Sequence, residues 1–513
     1  VPDSKGAGRN HDHGYAPDGK SVRVEAERFP LKTYEPANQV EQTGTENGGQ
    51  TAKEFVAATM QVLPPPSEPM AVARSFVEDQ HHYGEDLTLH YWRGGWWSWR
   101  TTHWIEVDDR AIRSELYRFT ENAAYNNGKQ LVSWAPTKNK ISNVLDALMS
   151  VCLLKADIDQ PSWLDDCDNT SMIVAMKNGL LDVERRELVD HNPRFFNQTS
   201  VPFNYDADAP PPKRWLEFLD QLWPTEPEAI DVLGEWFGYV ISGRTDLHKI
   251  FLMVGPTRGG KGAIARVLEA LIGRKNVAAP TLNSFGGEFG LQPLIGKPLA
   301  IISDARFAGR DASIVVERLL SISGEDSLTI NRKYRDQWTG KLPTRLHVIS
   351  NEIPKLGDAS SAIVGRMVLM LLGRSWLGKE DLTLEPALRG ELPGILNWAL
   401  DGLQRLTITN NNVFTRLLSA EDAIITMRDL ASPVGAFIRE QCVVEAGSEI
   451  RCEDIYRAYR QWAEDNGHSR KTSQTFGRDL RAVVPAISVR RLGERGDRHR
   501  FYAGIDIRNK VNP

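Results

Sequence analysis

One segment limits the folds open to this chain more than any other: FLMVGPTRGGKGAIARVLEALIG at 251–273. Five apolar residues, Ile250 to Val254, read as a buried strand, and Ile264, Val267, Leu268 and Leu271 recur at helical spacing after it. Between them Gly255, four residues, Gly260 and Lys261 form a GxxxxGK loop. A strand, a glycine-rich turn and a helix in this order make an anion nest. The glycines let backbone N–H groups turn inward, and the helix aims its positive end at the same point. The spacing therefore predicts a phosphate-binding loop over Gly255, Pro256, Thr257, Arg258, Gly259, Gly260, Lys261, Gly262 and Ala263, with Lys261 reaching the β- and γ-phosphates of a nucleotide. The next position usually carries a hydroxyl that helps hold Mg²⁺, and here it is Gly262.

The pattern after this loop alternates strand and helix to about 372, which predicts an α/β core. A second apolar strand, KPLAIISDAR at 297–306, ends in Asp304, placed to hold Mg²⁺ or orient an attacking water. A third, TRLHVISNEIP at 344–354, ends in Asn351, which could touch the γ-phosphate or its water. Arg366, in SSAIVGRM, could offer a positive charge to a neighbouring subunit's γ-phosphate. Between the second and third strands, LTINRKYRDQWTGKL at 328–342 has strand–turn character and carries Arg332, Lys333 and Arg335. An insertion of this kind suits contact with a phosphate backbone, and a solvated loop is the competing reading.

The rest of the 513 residues divides around this core. Residues 1–70 lack long apolar runs and read as disordered or as a linker. Residues 71–205 are globular. LHYWRGGWWSWRTTHWIEV at 89–107 reads as a hairpin about Gly94-Gly95 whose tryptophans pack a small sheet in preference to stacking bases. Helices are expected at 111–124, 141–155, 213–223 and 228–242, and Asn178-Gly179 marks another hairpin. The core domain is placed at 206–410 and a last unit at 411–513, with helices at 433–442, 453–466 and 473–482 before short strands. From 470 to 500 nine Arg and Lys residues face three acids, although the whole chain carries a net charge of −5. The helix in SRKTSQTFGRDLRAV sets Arg478 and Arg481 apart from an apolar side, and Arg490 and Arg491 follow on a strand, a pattern that fits DNA binding. Four scattered cysteines fit a reducing, cytoplasmic setting, and no run approaches the roughly 18 to 20 apolar residues of a membrane span. The chain starts at Val1 instead of Met and reads as a piece of a longer one.

Together these motifs resemble the superfamily 3 helicases, and among them the phage and plasmid primase-helicases related to the replicative NTPases of large DNA viruses. The resemblance covers about 75–510: the Trp-rich hairpin, VAMKNGLLDVERREL, the run LGEWFGYVISGRTDLHKIFLMVGPTRGGKG, and the acid, Asn and Arg positions named above. It implies an AAA+-like P-loop core with an α+β N-terminal domain and a C-terminal winged helix. It implies ATP and Mg²⁺ as cofactors, Lys261, Asp304, Asn351 and Arg366 as catalytic residues, and Lys333 and Arg335 as hairpin contacts to DNA. It further implies a homohexameric ring drawing single-stranded DNA through its centre, usually 3′ to 5′. Gly262, and Val364-Gly365-Arg366 in place of an aromatic with paired arginines, depart from the family pattern. No primase centre is visible; if one exists, it lies upstream of Val1. Two rival readings stand beside the helicase: a nucleotide-dependent DNA-binding assembly or initiation factor with little hydrolysis, and another P-loop enzyme such as a small-molecule kinase.

Overall fold

The computed structural model describes residues 61–165, 172–303, 312–333, 335–354, 362–468, 470–492 and 499–508. Its centre is a five-stranded parallel sheet, built from β7 (Ile250–Val254), β8 (Val277–Ala278), β9 (Leu299–Ile302), β12 (Arg345–Ser350) and β13 (Met367–Leu371) in the spatial order β8-β9-β12-β7-β13. Every pairing is parallel. β7 and β12 are buried at every position, as continuous apolar runs covered on both faces require. β7 pairs with β12 on one side and β13 on the other, so the chain reverses its order across the sheet at β7. Ligand crevices form at such a point, beyond the carboxyl ends of the strands.

The N-terminal part has a core of its own. Strands β1 (Leu89–Trp92), β2 (Gly95–Trp99) and β3 (Trp104–Val107) form an antiparallel meander. The turn falls one residue ahead of the expected Gly94-Gly95: Arg93 and Gly94 both have positive φ, 48° and 76°, the geometry of a tight hairpin turn, and Gly95 is already paired with Trp92. Trp92, Trp96 and Trp104 are buried, in keeping with a sheet that packs its aromatic face. Helices α1 (Pro69–Gln80), α2 (Asp109–Glu121) and α3 (Lys138–Val151) cover it. Three further antiparallel strands follow, β4 (Ile173–Met176), β5 (Gly179–Asp182) and β6 (Glu187–Val189); β4 and β5 meet across Lys177-Asn178, one residue ahead of the expected Asn178-Gly179 turn, and β6 pairs with β5. The fold starts ahead of the expected boundary at 71. Leu63 is buried and Trp134 Nε1 donates to the Pro64 carbonyl at 3.1 Å, so 61–70 belongs to this domain and not to a linker.

Helices α4 (Lys213–Leu222) and α5 (Glu228–Ile241) lead into the sheet, α6 (Lys261–Ile272) follows β7, and α7 (Ala312–Ser323) precedes a hairpin of β10 (Leu328–Arg332) and β11 (Arg335–Gly340). α8 (Ala362–Arg366), α9 (Leu384–Gly390), α10 (Leu392–Gln404) and α11 (Leu418–Ala431) complete the core. The boundary expected at 411 lies further on. Ala420, Ala423, Met427 and Ala431 of α11 are buried in the main core, whereas Val434 begins a separate cluster. The C-terminal unit runs through α12 (Pro433–Gln441), β14 (Glu449–Arg451), α13 (Cys452–Asp465), α14 (Ser473–Val483), β15 (Ser488–Leu492) and β16 (His499–Ala503), with sheet order β14-β16-β15.

α5 and α10 touch through glycine. A Cβ on Gly238 would stand 2.3 Å from the Ala399 carbonyl, and one on Gly402 would stand 2.2 Å from the Gly234 carbonyl carbon. Gly238→Ala is expected to lower unfolding stability by about 1–3 kcal/mol, the usual cost of overpacking. Gly365→Ala, with nothing within 4 Å of the new carbon, serves as a control expected to change little in the same denaturant titration. A pH dependence follows from His347, which is wholly buried and accepts a hydrogen bond from Trp236 Nε1 at 3.1 Å. Burial lowers its pKa from 6.5 to about 3. The unfolded chain therefore binds the extra proton first, and this contribution to stability is lost as pH falls from 6.5 towards 3. Denaturation midpoints from pH 7 to 4 should drop, and His347→Asn should make the drop shallower.

Candidate nucleotide and DNA sites

The glycine-rich loop leaves the carboxyl end of β7 at the reversal point. Gly255 lies so close to the neighbouring strand exit that a Cβ would stand 2.6 Å from the Leu372 carbonyl oxygen. Gly260 has φ 93° and hands the chain to α6. These two positions need glycine for different reasons: close approach at the first, a left-handed backbone at the second. The first amides of α6 have no carbonyl within the helix to bond, so the loop presents donors where the helix dipole is positive.

Lys261, the first residue of α6, is 7% exposed. Its Nζ donates to the Gly255 carbonyl at 2.5 Å, to the Pro256 carbonyl at 2.8 Å and to Asn351 Oδ1 at 3.1 Å. The structure thus joins two residues that lie 90 positions apart. They meet because β12, which ends just before Asn351, is the hydrogen-bonded neighbour of β7. Around them opens a cavity of about 620 Å³, large enough for a nucleotide. Thr257, Arg258, Gly259, Gly260, Gly262, Ala263 and Ser303 line it. Asp304 lies outside the described residues; its neighbour Ser303, which follows the end of β9, lines the cavity. Among the described residues no group of three or more His, Cys, Asp or Glu side chains could hold a metal ion.

Sequence reasoning missed one wall of this cavity. The segment after β13 folds back over the loop: Ser375 Oγ donates to the Thr257 carbonyl at 2.8 Å, and Trp376 N to the Arg258 carbonyl at 3.0 Å. Three arginines at the cavity are paired with acids of this segment: Arg214 with Asp381 at 2.5 Å, Arg258 with Glu380 at 3.6 Å and Arg266 with Glu385 at 2.8 Å. A hydrogen bond from Arg389, with the charge of Arg266 added, holds the Glu385 carboxyl below its ordinary pKa. The acids of KEDLTLE were the only sequence signal, and nothing in their spacing tied them to the loop.

Arg366 is not at this cavity. It precedes β13, at the amino end of the sheet, whereas the loop follows the carboxyl end of β7. A five-residue strand separates the two levels by roughly 17 Å. The guanidinium donates to the Leu320 carbonyl and, at 2.9 Å, to Ser323 Oγ, at the end of α7.

The basic segment 328–342 is a true antiparallel hairpin, with Leu328 opposite Gly340 and Arg332 opposite Arg335. Lys333 is exposed in its turn. The side chain of Arg335 lies outside the described residues. Arg332 is turned inward: its side chain is 13% exposed and pairs with Glu106 of β3 at 3.6 Å. In the C-terminal unit Arg478, Arg481, Arg490 and Arg491 are all exposed. Arg478 and Lys471 share the buried Asp479, at 3.2 and 2.7 Å, and Arg490 pairs with Glu449 at 3.1 Å. Arg491 is paired in register with Arg500 on the neighbouring strand, so positive charge gathers on this sheet beside α14.

Three stretches match known families. Residues 80–224 match the family described as D5 N terminal like, 253–366 match a family of unknown function (DUF5906), and 432–509 match the RFX DNA-binding domain. Among solved structures, the chain is similar to apo structures of the NrS-1 C-terminal region. One aligns at 10% identity over 86% of this chain and 99% of the other, with a TM-score of 0.49. Two more align at 10% and 12% identity, over 81% and 85% of this chain and 97% and 100% of theirs, with TM-scores of 0.45 and 0.44. The D5 N-terminal-like match falls on the N-terminal domain and the start of the core, and the RFX match falls on the C-terminal unit. No helix among the described residues is long and apolar enough to cross a membrane.

Gly262 departs from the usual loop, yet the position has room. A Cβ there would meet only Arg266 Nη1, at 3.1 Å, the far end of a flexible side chain. Gly262→Ser is therefore expected to fold with unchanged thermal stability and to raise turnover of any Mg²⁺-nucleotide the loop takes. A rate at or below that of the parent would show that the missing hydroxyl is not what limits it.

Proposed function

We propose that this chain is an ATP-driven motor acting on DNA in replication, of the primase-helicase type. The observation that carries the reading is the meeting of Lys261, Asn351 and a glycine-lined loop at the point where the parallel sheet reverses its strand order. Triphosphate binding replaces the two loop carbonyls on Lys261 Nζ with β- and γ-phosphate oxygens. Asn351, within hydrogen-bond reach of that ammonium, then orients the attacking water. Asp304 and Ser303 would hold Mg²⁺, which would supply charge neutralisation to the phosphates; Gly262 has no hydroxyl to add. Arg366 completes the site of a neighbouring subunit in a ring of identical chains, probed by subunit mixing.

The matches at 80–224 and 432–509 support action on DNA. Lys333 at the hairpin tip and the arginines of α14 and β15 are the backbone contacts in this reading, and Arg332 serves as an internal brace. One feature favours a second reading, an assembly factor with little turnover: Gly262 has no hydroxyl to offer a metal ion.

DNA-stimulated ATP turnover separates the two. Wild type should hydrolyse ATP faster with single-stranded DNA present, and Lys261→Ala should abolish turnover. ATP binding without turnover under every DNA condition would favour the assembly factor, and no binding at all would sink both. An arginine finger is worth about 10³ to 10⁵ in rate, so Arg366→Ala subunits mixed with Lys261→Ala subunits should recover activity that neither has alone. Removing 432–513 should weaken DNA binding and leave basal turnover near normal. For every cation that no longer neutralises a phosphate, the log–log salt dependence of binding should flatten by roughly 0.7 to 0.9.

A further inference from the structure

The start of α6 carries a cation that the GxxxxGK motif does not include. Arg266 stands four residues after Gly262, on the same face of the helix. Helical side chains lean towards the amino end, so Arg266 leans over the turn whose amides are free. A Cβ on Gly262 would meet, among the described residues, only Arg266 Nη1, at 3.1 Å. The guanidinium thus stands at the corner where the residue after the lysine usually places its hydroxyl. Lys261, Gly262 and Arg266 line the same cavity of about 620 Å³, so the corner is open to whatever the loop binds.

The hold on Arg266 is one that an anion could take over. Its side chain is 50% exposed, and its Nε meets Glu385 of α9 at 2.8 Å. That contact leaves the Nη1 edge turned towards Gly262. An ion pair this exposed adds little to stability, so its partners can exchange at small cost. Glu385 also has a second arginine: Arg389 Nη2 donates to its Oε1 at 3.0 Å, one turn along α9. Were Arg266 to turn away, Glu385 would keep a partner within its own helix, and no charge would be stranded. A guanidinium fork matches phosphate oxygens as well as it matches a carboxylate. A polyphosphate in the loop brings several such oxygens to the amino end of α6, one short swing from where the guanidinium rests.

We infer that Arg266 is a phosphate-binding residue held in reserve. It pairs with Glu385 while the loop is empty. When the loop fills, it turns to the phosphate chain beside Gly262 and leaves Glu385 to Arg389. This role presupposes that the loop takes a nucleotide. It adds to that site a cation from outside the motif, and an acid that competes with the nucleotide for it.

Titrations of the full chain with a non-hydrolysable ATP analogue and Mg²⁺ test this role. Arg266→Gln keeps a polar side chain and loses the charge. It should weaken binding about tenfold or more, the effect of losing a hydrogen bond between charged groups. Glu385→Gln should act in the opposite direction and tighten binding, because it frees Arg266 in advance. A tie that only braces the fold would give both changes the same sign, since either one breaks it. The double variant separates the exchange from a general loss of negative charge near the cavity: in the Arg266→Gln background, Glu385→Gln should have no further effect. If Arg266→Gln does not fold, as judged by its thermal melt, the sign of the Glu385→Gln effect decides alone. Unchanged binding in Arg266→Gln, weaker or unchanged binding in Glu385→Gln, or a Glu385→Gln gain that persists without Arg266 overturns the inference and leaves the nucleotide site standing. Wild type that binds no analogue overturns the nucleotide site itself, and this role with it.

Discussion

β7 is the element on which the rest of the molecule depends. All five of its residues are buried, and it is hydrogen-bonded on both sides to parallel neighbours that arrive from later in the chain. A strand so placed has no freedom to shift register, because a slip of one residue would turn its side chains to opposite faces. Its carboxyl end is therefore a fixed point, and the loop that leaves it inherits that rigidity. Lys261 needs such a support. Its ammonium is nearly buried and is held by three oxygens, two from the loop and one from the strand next door.

The parts of the fold that could be read in advance were those where local pattern and tertiary role agree. The strand–loop–helix at 250–272 and the hairpin at 328–340 lie where the periodicity puts them, and the Trp-rich hairpin is present with its turn one residue earlier and a third strand added. The domain edges were less legible. Helix α11 is followed by the Ser432-Pro433 break, and the Thr and Asn residues before it look like a linker, yet its alanines and Met427 bury in the main core. Composition marks a turn, and packing decides which side of it a helix belongs to.

The candidate site was legible only along the chain, not across it. Lys261 follows from its motif, and Asn351 from its place at a strand end. The ion pairs of Arg214, Arg258 and Arg266 with Asp381, Glu380 and Glu385 join segments well apart in sequence, and no periodicity records such partners. Arg332 shows the converse. It reads as one more cation in a basic run, but its stem is buried and its charge is spent within the molecule.

The pairing of Arg332 with Glu106 has a mechanical meaning. It ties the turn end of the β10–β11 hairpin, where Arg332 stands opposite Arg335, to the Trp-rich sheet, and Lys333 follows directly on the tie. A beam held near its tip as well as at its root passes load into both supports. Force applied at the hairpin tip thus has two routes into the body of the protein, one through the core strands and one through the N-terminal sheet. The N-terminal domain is then part of the frame against which the tip works, and stiffness there sets how far the tip can travel under load.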